Sequence, residues 1–317
     1  MTRETVLVVD VGGTKVLVSE VDRAGAVLHS LRLPSTMKSQ SATTALIESG
    51  IEEYLTSGSI GHVEAIAISI VGIVNPQTGI WKEIDVRRAE PTALAVILSK
   101  RFGLPVAIGN DVYCATVAEQ KDGVGKETDS FIFLNIGTGI AGRIVDQGHI
   151  VNGSQYNGGE IGHMTVDMNS KVLCLCGRYG CVEPLASGLG MSERACEAIQ
   201  AGQTSQLKIN ATGRIDADKL FAAYDHHDPV ATQVVGNALR AVAALLTSLI
   251  RVSNPEAIVL GGGVVSDGWF MNHLLPLIDP ISTRFLPYGI RVSRLDPRRI
   301  ATLGAAILGF RIVDEQK

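Results

Sequence analysis

The 317-residue chain has no basic cluster, no uninterrupted apolar run of membrane length and no low-complexity linker, and each absence removes a class of function. Lys and Arg number 28 against 32 Asp and Glu, a net charge of −4, and the lack of a basic patch disfavours nucleic acid and acidic membrane surfaces as partners. The longest apolar helical stretch, Ala241 to Ile250, falls short of the roughly 20 residues a bilayer-spanning helix needs, so a buried helix is expected there. Met1 to Thr5 runs straight into Val6-Leu7-Val8-Val9-Asp10 with neither the apolar length nor the cleavage site of a signal peptide, which makes a reducing cytoplasm the expected location. Five cysteines are an odd count, and with no secretory segment they do not suggest a disulfide framework. A Walker A loop and a G-x-G-x-x-G fingerprint are both missing.

What is present is concentrated. Glu160-Ile-Gly-His163 is followed by Cys174-Leu-Cys176-Gly-Arg-Tyr-Gly-Cys181-Val-Glu183. Three thiolates and one imidazole match the four soft tetrahedral ligands that Zn²⁺ prefers, so His163, Cys174, Cys176 and Cys181 are the expected metal ligands. Four protein ligands leave no open position for water, so the metal is expected to be structural and to hold Glu160, His163 and Glu183 in place. Glu160 and Glu183 are either surface carboxylates, carboxylates supporting the metal ligands, or acceptors for neighbouring sugar hydroxyls. Cys114 and Cys196 read as small buried apolar residues.

The chain is also duplicated. Val8-Val9-Asp10-Val11-Gly12-Gly13-Thr14 is echoed by Phe133-Leu134-Asn135-Ile136-Gly137-Thr138-Gly139, and Val21 to Val27 by Val145 to Ile150. Each half therefore begins as a β-meander with a glycine-rich first turn. Short apolar runs at Glu64 to Val71 and Leu104 to Ile108 alternate with helical segments near Ala42 to Leu55 and Ala93 to Phe102, which indicates an α/β class. A long apolar helix, Pro229 to Val252, halts at Asn254-Pro255 before a strand, Ala257 to Leu260. Taken singly, each glycine turn reads as a hairpin. Repeated in register, the two read as paired cradles whose exposed N–H groups can approach phosphate, with a ligand cleft expected between the halves. Asp10, at the strand end, could hold Mg²⁺ beside the phosphates. Gly261-Gly262-Gly263 is either a tight strand exit or room for a nucleoside.

Asn110-Asp111 ends one strand and opens the apolar helix Val112 to Glu119. Asp111 is then an N-cap, or a base accepting the proton of a substrate hydroxyl during phosphoryl transfer, or both.

With these motifs in this order, the chain resembles the ROK family of bacterial sugar kinases and sugar-responsive repressors over nearly its whole length. Asp10-Val-Gly12-Gly13-Thr14-Lys15 resembles the family's first phosphate motif, Gly137-Thr138-Gly139 its second and Gly261-Gly262-Gly263 its adenosine loop. The resemblance implies the actin-like, hexokinase-type two-domain α/β fold, ATP with Mg²⁺, and Asp111 as catalytic base. It further implies sugar contacts from Gly72, Asn110, Asp111, Glu160, His163 and Glu183, with His163 also on zinc. The expected division is a small domain over residues 1–110, onto which a helix at about 300–317 packs back, and a large domain over 111–299. A homodimer is expected. The family's repressors carry an N-terminal helix-turn-helix, and only about five residues precede the first strand here, so the kinase is the expected branch over a non-catalytic sugar sensor.

Several positions depart from the family pattern. Val71-Gly72 stands where Pro-Gly is usual, Trp81 to Pro91 lacks the expected Asn-Leu pair, Tyr113 replaces a common Asn and Ala141 a glycine. These departures fall on the expected sugar pocket more than on the phosphate turns, which points towards an aminosugar, a rarer hexose or a cyclitol. Asp85 to Glu90 reads as a solvated charged loop.

Overall fold

The structure is a computed structural model that describes residues 3–35 and 37–317. The chain forms two compact units. The first comprises residues 1–123, 152–158 and 298–317, the second residues 124–151 and 159–297.

In the first unit, strands β1 (Glu4–Val11), β2 (Lys15–Asp22), β3 (Val27–Pro34), β4 (His62–Ile70) and β7 (Val106–Asn110) form one sheet in the order β3-β2-β1-β4-β7, while β5 (Ile73–Asn75) and β6 (Ile80–Glu83) pair separately. β1 lies antiparallel to β2 and parallel to β4, whose other edge pairs in parallel with β7. Side chains alternate across β1: Leu7, Val9 and Val11 join the core on one face, Val6 and Val8 the core on the other. A strand covered on both faces has no use for polar residues, which is why its sequence reads as a continuous apolar run. The first core lies under the helices Gln40–Ser57 and Leu94–Phe102, the second under the C-terminal helix Ile300–Asp314.

The second unit repeats the plan. Strands β8 (Phe131–Ile136), β9 (Ile140–Asp146), β10 (His149–Ile150), β11 (Ala257–Gly261) and β12 (Ile290–Val292) run in the order β10-β9-β8-β11-β12, the same meander-then-parallel arrangement. Its core packs against the helix Pro229–Ser253. Asp228 caps that helix by accepting from the Val230 and Ala231 N–H groups, and Asn254 ends it in the left-handed conformation, φ 44°.

Three expectations need adjustment. The helix Pro229–Ser253 is 25 residues long with an 18-residue window of mean hydropathy 1.5, so by length and composition it does reach membrane-spanning size. It is nevertheless a core element, with 61% of that window buried. The break expected after Asn110 falls after Gly123 instead, because the helix Asp111–Asp122 packs on the C-terminal helix and stays with the first unit. Residues 152–158 also belong to that unit, where Lys82 Nζ donates to the Gln155 carbonyl at 3.2 Å and the Tyr156 hydroxyl donates to Gln77 Oε1 at 2.7 Å.

Candidate active site and metal centre

In the first unit β1 delivers Asp10 to the mouth of the first glycine turn. Ser69, the one polar residue in an otherwise apolar stretch of β4, donates its hydroxyl to Asp10 Oδ1 at 2.9 Å. Burial pushes the Asp10 carboxyl above the usual carboxylate range, with the Ser69 hydrogen bond and the Lys15 charge pulling the other way. A buried carboxylate short of compensation is a good seat for a cation. The turn is closed by the Gly12 N–H donating to the Lys15 carbonyl at 2.9 Å, while Gly13 has open space where a side chain would lie.

Asn110, not Asp111, caps the helix that follows β7. Its Oδ1 accepts from the Val112 and Tyr113 N–H groups at 3.0 and 3.2 Å, and its Nδ2 donates to the Gly72 carbonyl at 3.1 Å. The expectation that Asp111 serves as cap is thus corrected. Asn and Asp cap about equally well, and the amide wins here because it can also donate to Gly72. Asp111 becomes the first helical residue, with Oδ1 accepting from Val112 N at 2.9 Å.

In the second unit the other turns sit side by side on one sheet. Gly137 N donates to the Gly139 carbonyl at 2.9 Å, and the carbonyls of Gly137 and Thr138 accept from Gly188 N and Leu189 N at the start of the helix Gly188–Gln200. Gly262, at φ +94°, lies so close to β8 that a Cβ would come within 2.3 Å of the Ile136 carbonyl oxygen, so a side chain there is excluded twice over. Glu183 reaches the second turn directly: its Oε2 accepts from Ile140 N at 2.9 Å and would lie 2.7 Å from a Cβ on Gly139. One Glu183 oxygen therefore fixes the backbone of the second glycine turn, a contact its sequence position beside the cysteines does not suggest.

The four expected metal ligands do come together. The donor atoms of His163, Cys174, Cys176 and Cys181 all lie within 4.8 Å of one another, with Cys174 Sγ 3.4 Å from His163 Nδ1 and Cys176 Sγ 3.6 Å from Cys181 Sγ. A tetrahedron built on Zn–S and Zn–N bonds of ~2.3 and ~2.1 Å has edges of about 3.6–3.8 Å, so the cluster fits zinc. The thiols also behave as a set. Burial raises the Cys174 thiol and pushes Cys181 up to about 12, whereas at Cys176 burial is outweighed by hydrogen bonds from the Arg178 backbone and side chain, which bring that thiol down to about 7. Zn²⁺ would ionise all three thiols and remove the mutual repulsion. His163 Nε2 faces Glu160 Oε2 at 3.8 Å, and Arg178 donates to the His163 carbonyl at 2.6 Å. Arg178 and Ser69 were not among the expected site residues, although a charged residue inside the cysteine knuckle and a lone hydroxyl in an apolar strand were both visible signals.

The charged loop behaves as expected in part. Asp85 Oδ2 accepts from Arg88 Nε at 2.9 Å, Arg88 also donates to the Met37 carbonyl, and residues 86–90 are exposed.

The sequence model described as ROK family matches residues 6–308. The chain is 31% identical over 313 residues to a glucokinase from Halalkalibacterium halodurans, covering 95% of this chain and 92% of that protein. Among solved structures it is similar to a ROK family glucokinase from Streptomyces griseus in complex with glucose and AMPPNP, at TM-score 0.74 and 26% identity over 97% of this chain and 99% of that one. It is also similar to a ROK family transcriptional regulator, a homologue of the E. coli MLC protein, at TM-score 0.82 and 26% identity over 98% of this chain and 79% of that one.

Proposed function

The chain belongs to the ROK family and has the actin-like two-domain α/β fold, and from that premise we propose that it is an ATP-dependent sugar kinase acting on a hydroxyl of a hexose or aminosugar. The observation that supports this reading is the helix start after β7, where Asn110 supplies the cap and Asp111 occupies the first helical position; Asp111 is the residue we assign as base.

Phosphoryl transfer passes through a loose transition state that asks mainly for positioning and for stabilisation of phosphate charge. Asn110 is tied to Gly72 on one side and to two helix amides on the other, so both it and the adjacent Asp111 are held for a sugar hydroxyl. Glu160, His163 and Glu183 supply the other sugar contacts; the imidazole, engaged through Nδ1 with the thiol cluster, turns Nε2 towards Glu160. The Asp10–Lys15 turn and the Gly137–Gly139 turn offer N–H groups and threonine hydroxyls to the polyphosphate, and Gly261 to Gly263 leave room for adenosine. Mg²⁺ arriving with ATP would neutralise charge on the transferring phosphate, and Asp10 is the residue suited to hold it. Zinc on His163, Cys174, Cys176 and Cys181 is structural, since four protein donors close its coordination shell. Reduced thiolates suit a cytoplasmic location, and the family resemblance supports a homodimer.

A panel of hexoses, aminosugars and cyclitols offered with Mg·ATP tests the proposal: at least one should be phosphorylated with stoichiometric ADP release. Similarity to the regulator supports a second reading, a sugar-binding sensor. Calorimetric binding of a sugar with no ATP consumption would select it.

A further inference from the structure

We propose that Trp81 is a positioning residue for the sugar-binding and base-bearing end of the first unit, acting through the Val71–Gly72 turn; this rests on the kinase reading given above. Val71 stands at the exit of β4 without a proline ring to fix its backbone, and Gly72 follows in the left-handed region at φ +99°. Glycine enters that region without steric cost and is the most conformationally free residue, so hydrogen bonds from neighbouring side chains are what hold the turn to one shape. Two side chains supply it by taking successive carbonyls: Trp81 Nε1 donates to the Val71 oxygen at 3.1 Å, and Asn110 Nδ2 donates to the Gly72 oxygen at 3.1 Å. Asn110 is in turn the cap that sets the first turn of the helix carrying Asp111.

Trp81 is itself immobile. It is 0% exposed, its backbone N–H and carbonyl pair with Thr92 at 2.9 Å in both directions, and its carbonyl also accepts from the buried Gln40 side chain at 2.8 Å. Space around the turn is tight as well, for a Cβ on Gly72 would lie 2.1 Å from the Glu83 carbonyl oxygen. A rigid indole from β6 therefore fixes the Val71 carbonyl, the turn presents the next carbonyl to Asn110, and Asn110 fixes the helix start. An indole N–H is a donor only, so the contact has one direction and one partner type.

Trp81→Phe keeps most of the ring volume and deletes the donor. Loss of one such hydrogen bond corresponds to about tenfold in an equilibrium. We expect kcat/KM for the sugar to fall about tenfold while KM for ATP stays within about twofold, and amide exchange across residues 110–116 to quicken about tenfold while residues 300–314 keep their protection. Unchanged exchange at 110–116, or equal losses in the sugar and ATP parameters, overturns the inference. The exchange measurement needs no turnover, so a wild-type protein that phosphorylates nothing refutes the kinase reading while Trp81 is still judged. Should Trp81→Phe fail to fold, 3-benzothienylalanine incorporated at position 81 keeps the bicyclic shape of the indole and lacks only its N–H, so exchange across residues 110–116 should quicken in that protein too, and unchanged exchange there overturns the inference.

Discussion

Gly304 lies in the C-terminal helix directly against the helix that begins at Asp111, and a Cβ built there would sit 1.6 Å from the Cys114 carbonyl oxygen and 2.4 Å from its carbon. Real Cβ atoms essentially never approach below 3.0 Å, so Gly304→Ala forces the two helices apart by about 1.4 Å. The obstacle is backbone, which cannot swing aside as a side chain would. Overpacking of this kind costs about 1–3 kcal/mol, or roughly 2–10 °C in Tm for a unit of this size. Displacing a reacting group by ~1 Å costs on the order of 10²-fold in rate. Steady-state kinetics with differential scanning calorimetry should therefore show kcat lowered by about 10²-fold at a temperature where the variant remains folded. Zinc content should be untouched, because the thiol cluster belongs to the other unit. A variant with wild-type Tm and wild-type kcat would refute the claim that this glycine permits the helix contact that positions Asp111.

Metal analysis should find roughly one zinc per chain in the wild type and none in Cys176→Ser, which should also lose sugar affinity through His163, whereas Cys196→Ser should keep its zinc. Asp10 carries a raised pKa in the folded protein, so the folded state binds its proton more tightly than the unfolded chain and the group opposes stability above that raised value. Asp10→Asn should therefore raise the Tm of the ligand-free protein at pH 7, with the gain shrinking as pH falls through the raised pKa, and should abolish turnover; a lowered Tm at pH 7 would contradict the assigned cause.

Much of the architecture was legible because the residue pattern and the fold repeat together. The β-meander and glycine turn at Val8 to Thr14 reappear at Phe133 to Gly139, and the two sheets share one strand order. The gathering of His163, Cys174, Cys176 and Cys181 was legible because metal-ligand chemistry is carried by a few residues at short spacing. Other features depend on partners far away in sequence. Choosing Asn110 over Asp111 as cap is decided by the Gly72 carbonyl, and the placement of residues 152–158 by Gln77 and Lys82. At three residues, β12 is too short to show periodicity, and nothing around Gly304 reveals the Cys114 backbone it touches.

The account turns on Asp111, and the most direct measurement compares Asp111→Asn with the wild type for both sugar binding and turnover on a sugar that the wild type phosphorylates. Asparagine preserves the shape and removes the base, so sugar affinity by calorimetry should stay within about tenfold while kcat falls by 10²-fold to 10⁴-fold, the range expected for losing general-base catalysis, ~10²–10⁴. Turnover at the wild-type rate in Asp111→Asn would contradict the account.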